Sequence, residues 1–316
     1  MPVPGLETGN PVSAKFMNRL LVAILATNLW QSATLAADQA VTTAPPRPSA
    51  AEGMRLIFRD DFEGPLDPTR WYFGPKPDGG QWGGAHFVSK DEPQFSAVYH
   101  VQDGVLRIRA HHDLTYQDPE KWGWKEPGPK NPMPADQAWK PGRTWYSGQL
   151  ALAFPDGHAT AAVRKGYFEV RAKLPATPGA WSAPLWLLNV PSIKQQKSSV
   201  EIDIEAYGAF PTHWNPSIHD WGPGGHPHAY LTGDLTVGDI TTDFHAYGIQ
   251  ITETEVIWYF DDKEVFRKPL YRAADPTLGK FFPIMDLAIS YDWPVQIPPS
   301  GHIDLLIDRI SVYSAD

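Results

Sequence analysis

Short segments in which apolar and polar residues alternate constrain the fold of this chain more than any other feature of its sequence. In the segment GVLRIRA, Leu106, Ile108 and Ala110 alternate with arginines, and Gly166–Lys173 has the same period. This period of two predicts half-buried strands, because successive side chains of a strand point to opposite faces. No stretch of about 12 residues has helical periodicity. The pattern predicts an all-β domain, built as an antiparallel sandwich or barrel.

Two further segments fit this prediction and one does not. Ile251–Arg267 looks like two strands joined at Asp261-Asp262, since aspartate tolerates turn conformations. The last segment, HIDLLIDRISVY, alternates as a strand. By contrast, Thr115–Arg143 contains six prolines and three tryptophans without strand periodicity. We interpret it as a long surface insertion, a kind of loop that is usually functional or disordered.

The N-terminal region is typical of an exported protein. Arg19 precedes the apolar run Leu20–Trp30, and small residues follow. This three-part layout predicts a secretory signal peptide within residues 1–37, and the run is too short to span a bilayer stably. An uncleaved interfacial anchor is the alternative. Residues 38–53 are rich in Ala, Thr, Pro and Ser and predict a disordered linker. The catalytic domain is then expected over residues 54–316.

Composition excludes several functions. The chain has no cysteine, so disulfides, thiolate metal sites and cysteine nucleophiles are ruled out. A formal net charge of −9 argues against a nucleic-acid partner. Phosphate-binding glycine motifs and the G-x-S-x-G elbow are absent from the sequence. Thirteen Trp, 12 Tyr and 14 Phe can supply both an aromatic core and a sugar-binding cleft.

The segment VEIDIEAYG carries the strongest chemical signal. Glu201, Asp203 and Glu205 occupy alternate positions, so on a strand all three point to one face, while Ile202 and Ile204 face the core. Paired carboxyls flanking a glycosidic bond are the machinery of glycoside hydrolysis. Like-charge crowding should raise the pKa of one glutamate so that it can act as an acid. The alternative is an acidic solvent face paired with cations on neighbouring strands.

Several segments in the same order resemble one family. They are FRDDFEGPLDPTRWYFG, DEPQFSAVYHVQDGVLRIRA, KGYFEVRAKLPATPGAWSAPLWLLN followed by VEIDIE, DFHAYGIQITETEVIWYFDDKEVFR, FFPIMDLAIS and LLIDRISVY. Over about residues 56–315 the chain is similar to glycoside hydrolase family 16. The resemblance implies a concanavalin-like β-jelly-roll sandwich of two antiparallel sheets with an open concave cleft.

Residue roles follow from this resemblance. It implies Glu201 as nucleophile, Glu205 as general acid/base and Asp203 as the assistant of the nucleophile. It also places Trp181 and Trp186 at the sugar subsites beside the cut, although PLWLLN can equally make Trp186 a core residue. The regular spacing E-x-D-x-E is similar to that of lichenases and bacterial exopolysaccharide glycanases. Ser182-Ala183-Pro184 departs from the usual W-P-A run of the family.

Histidines cluster in the next segment. His213, His219, His226 and His228 fall in a stretch rich in Gly and Pro, which we interpret as a polar cleft loop rather than a metal site. Ser217–Trp221 is the exception, a short candidate strand beside the cleft. On it, His219 and Trp221 would share one face, and both are predicted substrate contacts.

The family resemblance also implies a structural calcium ion. Asp308 matches the family's aspartate in the last strand, and Glu63 and Gly104 match the remaining positions loosely. Calcium takes six to eight oxygens, so three positions leave an ordinary surface aspartate as the alternative. No cofactor is expected for catalysis.

The sequence thus predicts a secreted or periplasmic retaining endo-β-glycosidase. Its expected substrate is a polysaccharide, with β-1,3-1,4-glucan or a bacterial exopolysaccharide as the leading candidates. An endo-transglycosylase with the same site, and a non-catalytic carbohydrate-binding module on the same fold, are the alternatives. The mature protein is expected to be a monomer that binds neither nucleic acid nor membrane.

Overall fold

The computed structural model describes residues 46–115, 144–195, 199–221, 227–290 and 295–316. The predicted signal peptide, residues 38–45 of the predicted linker and residues 116–143 of the predicted insertion lie outside this part of the chain. No helix among the described residues is long and apolar enough to span a membrane.

Ten strands of the described chain form one sheet, in the order β16-β15-β14-β8-β18-β5-β6-β3, with β1 beside β18 and β4 beside β5. They are β1 (Arg55–Asp60), β3 (His86–Phe87), β4 (Tyr99–Gln102), β5 (Val105–His112), β6 (Trp145–Ser147), β8 (Gly166–Lys173), β14 (His245–Ile251), β15 (Glu255–Phe260), β16 (Lys263–Pro269) and β18 (His302–Ser314). All pairs are antiparallel except β3 with β6.

Eight further strands form the second sheet, in the order β12-β11-β10-β9-β17-β7-β2, with β13 beside β11. They are β2 (Tyr72–Phe73), β7 (Gln149–Ala151), β9 (Ala180–Asn189), β10 (Ser199–Tyr207), β11 (His213–Trp221), β12 (Pro227–Thr232), β13 (Leu235–Thr236) and β17 (Phe281–Ile289). Helices in the described chain are short: a 3-10 turn at Ser49–Ala51, α1 (Phe95–Val98) and α2 (Ser192–Gln195).

The main core lies between the two sheets and explains the alternating sequence. Leu106 and Ile108 of β5 are fully buried, while Arg107 and Arg109, which alternate with them, are half-buried. Ile202 and Ile204 of β10 enter the same core with no exposed surface, as predicted. The two-sheet, all-β architecture is therefore confirmed.

The predicted hairpin is also confirmed. Asp261 and Asp262 connect β15 to β16 with φ values of 46° and 61°. These are left-handed conformations, which aspartate adopts more readily than most residues.

One predicted boundary needs correction. The folded part begins near Pro46 rather than Met54, because Ser49–Ala51 is helical and Ala51 is fully buried. The Ser49 backbone N–H and hydroxyl also donate to Asp262, at 2.7 and 2.8 Å. Such contacts fix a segment that composition alone identifies as a linker.

The sequence predicts a loop from His213 onward apart from the candidate strand Ser217–Trp221. The strand is confirmed, but the loop prediction is wrong for His213–Pro216, which belongs to the same nine-residue strand β11. Its proline content misled the prediction. Pro216 falls where the outer neighbour of β11 changes from β12 to β13, a gap that tolerates a residue without an N–H.

One tryptophan joins the two sheets through strand β10. Trp258 of β15 is fully buried, and its indole N–H donates to the backbone carbonyl of Asp203 at 2.9 Å. Trp214 of β11 is equally buried, yet its indole N–H has no hydrogen-bond partner among the described groups. Trp258 and Trp214 are therefore a matched pair of buried tryptophans, of which only Trp258 has its indole N–H hydrogen-bonded to a described group.

We expect Trp258→Phe to lower the free energy of unfolding by about 1 kcal/mol more than Trp214→Phe does. Both substitutions remove similar ring volume, but only the first deletes a satisfied buried hydrogen bond. Urea unfolding followed by circular dichroism measures the difference. Equal losses in the two variants would show that the Trp258 bond contributes nothing to stability.

Candidate active site

The three carboxyls of β10 project from the face of the sheet that points away from the main core. In the strand register, Glu201 lies opposite His219, Asp203 opposite Ser217 and Glu205 opposite Asn215, all on β11. This register is uninterrupted along the strand, so the regular E-x-D-x-E spacing places all three acids on one face.

Asp203 is the most buried of the three acids, with 4% of its surface exposed. Burial raises its pKa well above the usual range, the Glu201 charge adds to the rise, and the Lys76 cation opposes it. Its Oδ2 lies 3.3 Å from Nε2 of His219. Asp203 therefore favours its protonated form, and it lies beside both Glu201 and the His219 ring.

Glu205 is the candidate acid. Burial, reinforced by the charges of Asp203 and Glu201, raises the pKa of Glu205 to about 8, while His219 and the Trp181 indole oppose the rise. The Ser217 hydroxyl lies 3.4 Å from Glu205 Oε2. At neutral pH the site therefore holds a carboxylic acid that can donate a proton, with the half-buried Glu201 on the same strand face.

A bulge in the neighbouring strand decides which side chains border these acids. Between Leu185 and Ser182, strand β9 advances three residues while β10 advances two, and the pairing with β17 shows the same extra residue. The bulge includes Pro184, whose missing N–H suits such a site. Trp181 and Trp186 are five residues apart and would face opposite sides of a regular strand, but the bulge turns both toward the acids.

The predicted sugar contacts Trp181 and Trp186 lie differently on this face. Trp181 is half-buried and packs against Tyr207 at 5.6 Å between ring centroids. Trp186 is 4% exposed, and its indole N–H donates to Asp286 at 2.7 Å. Both rings contact Trp82, at 4.7 and 6.1 Å. A direct sugar contact by either ring stays a prediction, and the burial of Trp186 favours a supporting position.

His219 and Trp221 share one face, as predicted. The His219 ring lies between Trp221 and Tyr230, with centroid distances of 5.2 and 4.5 Å and near-parallel planes. Tyr230 is 50% exposed and offers an open aromatic surface beside His219. The His219 ring faces Asp203, so Tyr230 is the ring of this stack with a surface open to a sugar.

The other histidines do not join a metal site in the described chain. Both ring nitrogens of His213 lie 2.8 Å from threonine hydroxyls, those of Thr212 and Thr236. His226 lies outside the described residues, as does the side chain of His228. Among the described residues, the group of three side chains that could hold a metal ion is Glu201, Asp203 and His219, whose ligand atoms lie within 4.8 Å of one another.

The predicted calcium residues fit a hard cation in part. Glu63 and the backbone carbonyl of Asp61 both lie beside Gly104, where a Cβ would come within 3.3 Å of the Glu63 carboxylate. Asp308 is hydrogen-bonded by Arg171, and its other oxygen is buried without a partner among the described groups. Burial and Asp61 raise the pKa of Asp308, while Arg171 and Arg309 lower it. These oxygens are of the type that calcium prefers.

Four residues around the acids were missed from the sequence: Lys76, Trp82, Tyr230 and Asp286. Lys76 and Trp82 belong to a segment between β2 and β3 that carries no motif. Tyr230 follows Gly- and Pro-rich sequence, and Asp286 interrupts an otherwise apolar strand. A buried acid within FFPIMDLAIS was the one available signal, since an ionisable residue is seldom fully buried without a specific partner.

Residues 156–298, a range that contains all three acids, match the family described as "Glycosyl hydrolases family 16". Over this range the chain is similar to family 16. The match bears out the predicted resemblance and supports the predicted enzyme class, a glycoside hydrolase acting on O-glycosyl bonds.

Curated relatives of the chain are named as glucanases and glycanases. "Glucan endo-1,3-beta-glucosidase A1" of Niallia circulans is 28% identical over 86% of the chain. "Beta-glucanase" of Rhodothermus marinus is 27% identical over 84%, and "Endo-1,3-1,4-beta-glycanase EglC" of Rhizobium meliloti is 27% identical over 83%. The chain spans 40%, 87% and 50% of these proteins, respectively.

Solved structures share the fold of this chain. The catalytic domain of a laminarinase from Thermotoga petrophila is 22% identical and superposes with a TM-score of 0.61, covering 82% of this chain and 97% of that domain. The laminarinase from Rhodothermus marinus is 24% identical, with a TM-score of 0.60 over 83% and 97%. This likeness confirms the jelly-roll fold.

The raised pKa of Glu205 predicts a pH-dependent stability. Folding favours the protonated form, so this stabilisation is complete below the unfolded pKa of about 4.3 and is lost as the pH rises toward 8. Glu205→Gln keeps a neutral side chain at every pH. We expect the variant to gain stability relative to wild type between pH 5 and 8, by at most about 1.4 kcal/mol per pH unit.

Thermal or urea unfolding at several pH values measures this gain. Glu264→Gln is the control, because a hydrogen bond from Arg267 lowers the pKa of exposed Glu264 and its stability difference should not grow over this range. A Glu205→Gln difference that stays flat from pH 5 to 8 would contradict a raised pKa at Glu205.

Proposed function

We propose that this protein is a retaining endo-β-glycosidase that cleaves a polysaccharide by double displacement, with Glu201 as nucleophile and Glu205 as acid/base. The observation that carries the proposal is the pairing on one strand face of Glu201 with an acid whose pKa is raised to about 8. A retaining enzyme needs both groups within about 5–5.5 Å across the bond that is cut.

In the first step, Glu205 gives its proton to the glycosidic oxygen while Glu201 attacks the anomeric carbon. The leaving sugar departs as an alcohol, and a glycosyl ester forms on Glu201. Because Glu201 loses its charge in the ester, one of the charges that raise the Glu205 pKa disappears. The pKa of Glu205 then falls, so Glu205 stays deprotonated after the first step and is available as the base in the second.

In the second step, Glu205 takes a proton from a water molecule, whose oxygen attacks the same carbon and releases Glu201 as a carboxylate. Asp203 assists because its protonated form can donate a hydrogen bond toward the neighbouring Glu201 oxygen. His219, 3.3 Å from Asp203, helps to hold the Asp203 carboxyl in place. Net configuration at the anomeric carbon is retained.

The substrate is proposed from the relatives and the aromatic lining together. The relatives are named for 1,3-β-glucan and 1,3-1,4-β-glucan cleavage, which favours a β-glucan, and a bacterial exopolysaccharide is the second candidate. Sugar C–H faces stack on aromatic rings, and the exposed Tyr230 and half-buried Trp181 flank the acids. A groove open at both ends would admit a long chain and give internal cleavage.

Glu201→Gln and Glu205→Gln should each lower kcat on laminarin or lichenan by at least about 100-fold, because each removes a group that reacts in the transition state. Glu264→Gln, on edge strand β16 of the other sheet, is the matched control and should retain wild-type activity. Reducing-end release measures the rates, and NMR of the first product shows its anomeric configuration. Wild-type rates in both site variants would contradict the assignment of Glu201 as nucleophile and Glu205 as acid/base.

The alternatives separate in the same assay. An endo-transglycosylase forms longer products when an oligosaccharide acceptor is added, because a sugar hydroxyl then replaces water in the second step. A carbohydrate-binding module binds the polymer without releasing reducing ends. EDTA should leave hydrolysis intact, since the acids act without a metal in the proposed mechanism.

We also propose export to the periplasm or the medium, supported by the charged start and apolar run of residues 19–30, and we propose that the mature protein is a monomer. N-terminal sequencing of the protein recovered from the culture medium, together with its elution on a sizing column, tests both. An intact residue 1 on the mature chain would exclude signal cleavage.

A structural calcium ion stays a proposal with its own test. Calcium should raise the melting temperature relative to EGTA, and Asp308→Asn should abolish the increment because it weakens an oxygen ligand. Asp304→Asn on the same strand is the control, since Arg109 already binds both Asp304 oxygens at 2.6 Å. An increment that is equal in the wild type and in both variants would exclude Asp308 as a ligand.

A further inference from the structure

A fourth carboxyl lies on the same sheet face as the proposed catalytic acids and has no part in the mechanism above. Asp286 of β17 is 0% exposed. In the strand register it faces Ala183 on one side, inside the β9 bulge, and Gln149 of β7 on the other. Asp286 is therefore a buried acid built into the floor beneath the site.

The hydrogen bonds of Asp286 identify its protonation state. Oδ1 accepts the indole N–H of Trp186 at 2.7 Å, whereas Oδ2 is buried with no hydrogen-bond partner among the described groups. A buried carboxylate with one bare oxygen is strongly disfavoured, while a neutral carboxylic acid is tolerated.

The charges around Asp286 act in the same direction. The ionisable groups that face it are Glu205, Asp203 and Glu201 of β10 and the Tyr99 hydroxyl of β4. Burial raises the pKa of Asp286 well above its usual range, the three β10 acids raise it further, and the Trp186 hydrogen bond opposes the rise. Ionisation would add a negative charge to a face that already carries three acids.

Asp286 also begins a chain of contacts that ends at Glu205. Trp186, fixed by Asp286, packs edge-on against Trp82. Trp82 is held from below by Gln149, whose side-chain oxygen accepts its indole N–H at 3.2 Å. Trp82 then packs against Trp181, whose indole acts on Glu205. Gln149 and Asp286 are cross-strand neighbours, and each accepts a hydrogen bond from one indole: Gln149 from Trp82 and Asp286 from Trp186.

We propose that Asp286 is a positioning residue, held as a neutral carboxylic acid, which fixes Trp186 and through Trp82 and Trp181 the position of the acid Glu205. The proposal rests on the proposed function, because it concerns the acid of that reaction. It explains an acidic residue in an apolar strand: the site needs a hydrogen-bond acceptor for Trp186 that brings no charge.

Two variants of Asp286 test the anchor. Asp286→Leu removes the acceptor at similar volume, and kcat should fall about tenfold or more, because small misplacements of reacting groups are costly. Asp286→Asn keeps an acceptor oxygen and should recover most of this loss. Trp186→Phe, which keeps Asp286 but deletes the indole N–H, should match Asp286→Leu and decides the question if that variant does not fold. Equal kcat in the Leu and Asn variants would overturn the proposal.

The pH profile tests the neutral state. If Asp286 carries no charge, Asp286→Asn leaves the alkaline limb set by Glu205 within about 0.3 pH unit of wild type. If Asp286 is ionised, its replacement removes a repelling charge, the pKa of Glu205 falls and the limb moves to lower pH. A shift of about one unit to lower pH would refute the neutral acid.

A readout that needs no catalysis separates this proposal from the proposed function. The indole N–H resonance of Trp186 in a ¹⁵N-labelled protein should keep its hydrogen-bonded shift in Asp286→Asn and lose it in Asp286→Leu. If these shifts behave as expected while Glu201→Gln remains fully active, the anchor stands and the proposed function fails. If Trp186 is unmoved in Asp286→Leu, the anchor fails whatever the activity.

Discussion

The structure depends on one constraint: a strand that buries one face in an apolar core must place its acids together on the other. Ile202 and Ile204 fix the orientation of β10, and Glu201, Asp203 and Glu205 follow from it. The cost of crowding these acids away from water appears as raised pKa values at Asp203 and Glu205. Proton donation at neutral pH is the chemical consequence of that crowding.

The residues around the three acids hold them in place and do not relieve their crowding. Across the core, Trp258 binds the carbonyl of Asp203, so strand β10 is tied to the opposite sheet at its central acid. On the open face, His219 and the more distant Lys76 are the basic groups that act on Asp203. Neither group cancels the effect of burial on the pKa of Asp203, which stays raised.

An extra residue in strand β9 shapes the other half of the site. The bulge at Ser182–Leu185 turns Trp181 and Trp186 to one face, where both meet Trp82. It coincides with Ser182-Ala183-Pro184, the departure from the family sequence noted above. The bulge thus links a local change in sequence to the packing of the aromatic rings around the acid.

The sequence by itself determined the elements whose signal is local. Alternation specified β5, β8 and the hairpin at Asp261-Asp262, and the spacing of Glu201, Asp203 and Glu205 specified their common face, because a period of two follows from strand geometry alone. Tertiary structure alone decided the strand character of His213–Pro216, the placement of Asp203 beside His219, and the burial of Asp286 under Trp186. These depend on register and bulges between segments distant in sequence, where a shift of one residue turns a side chain to the opposite face.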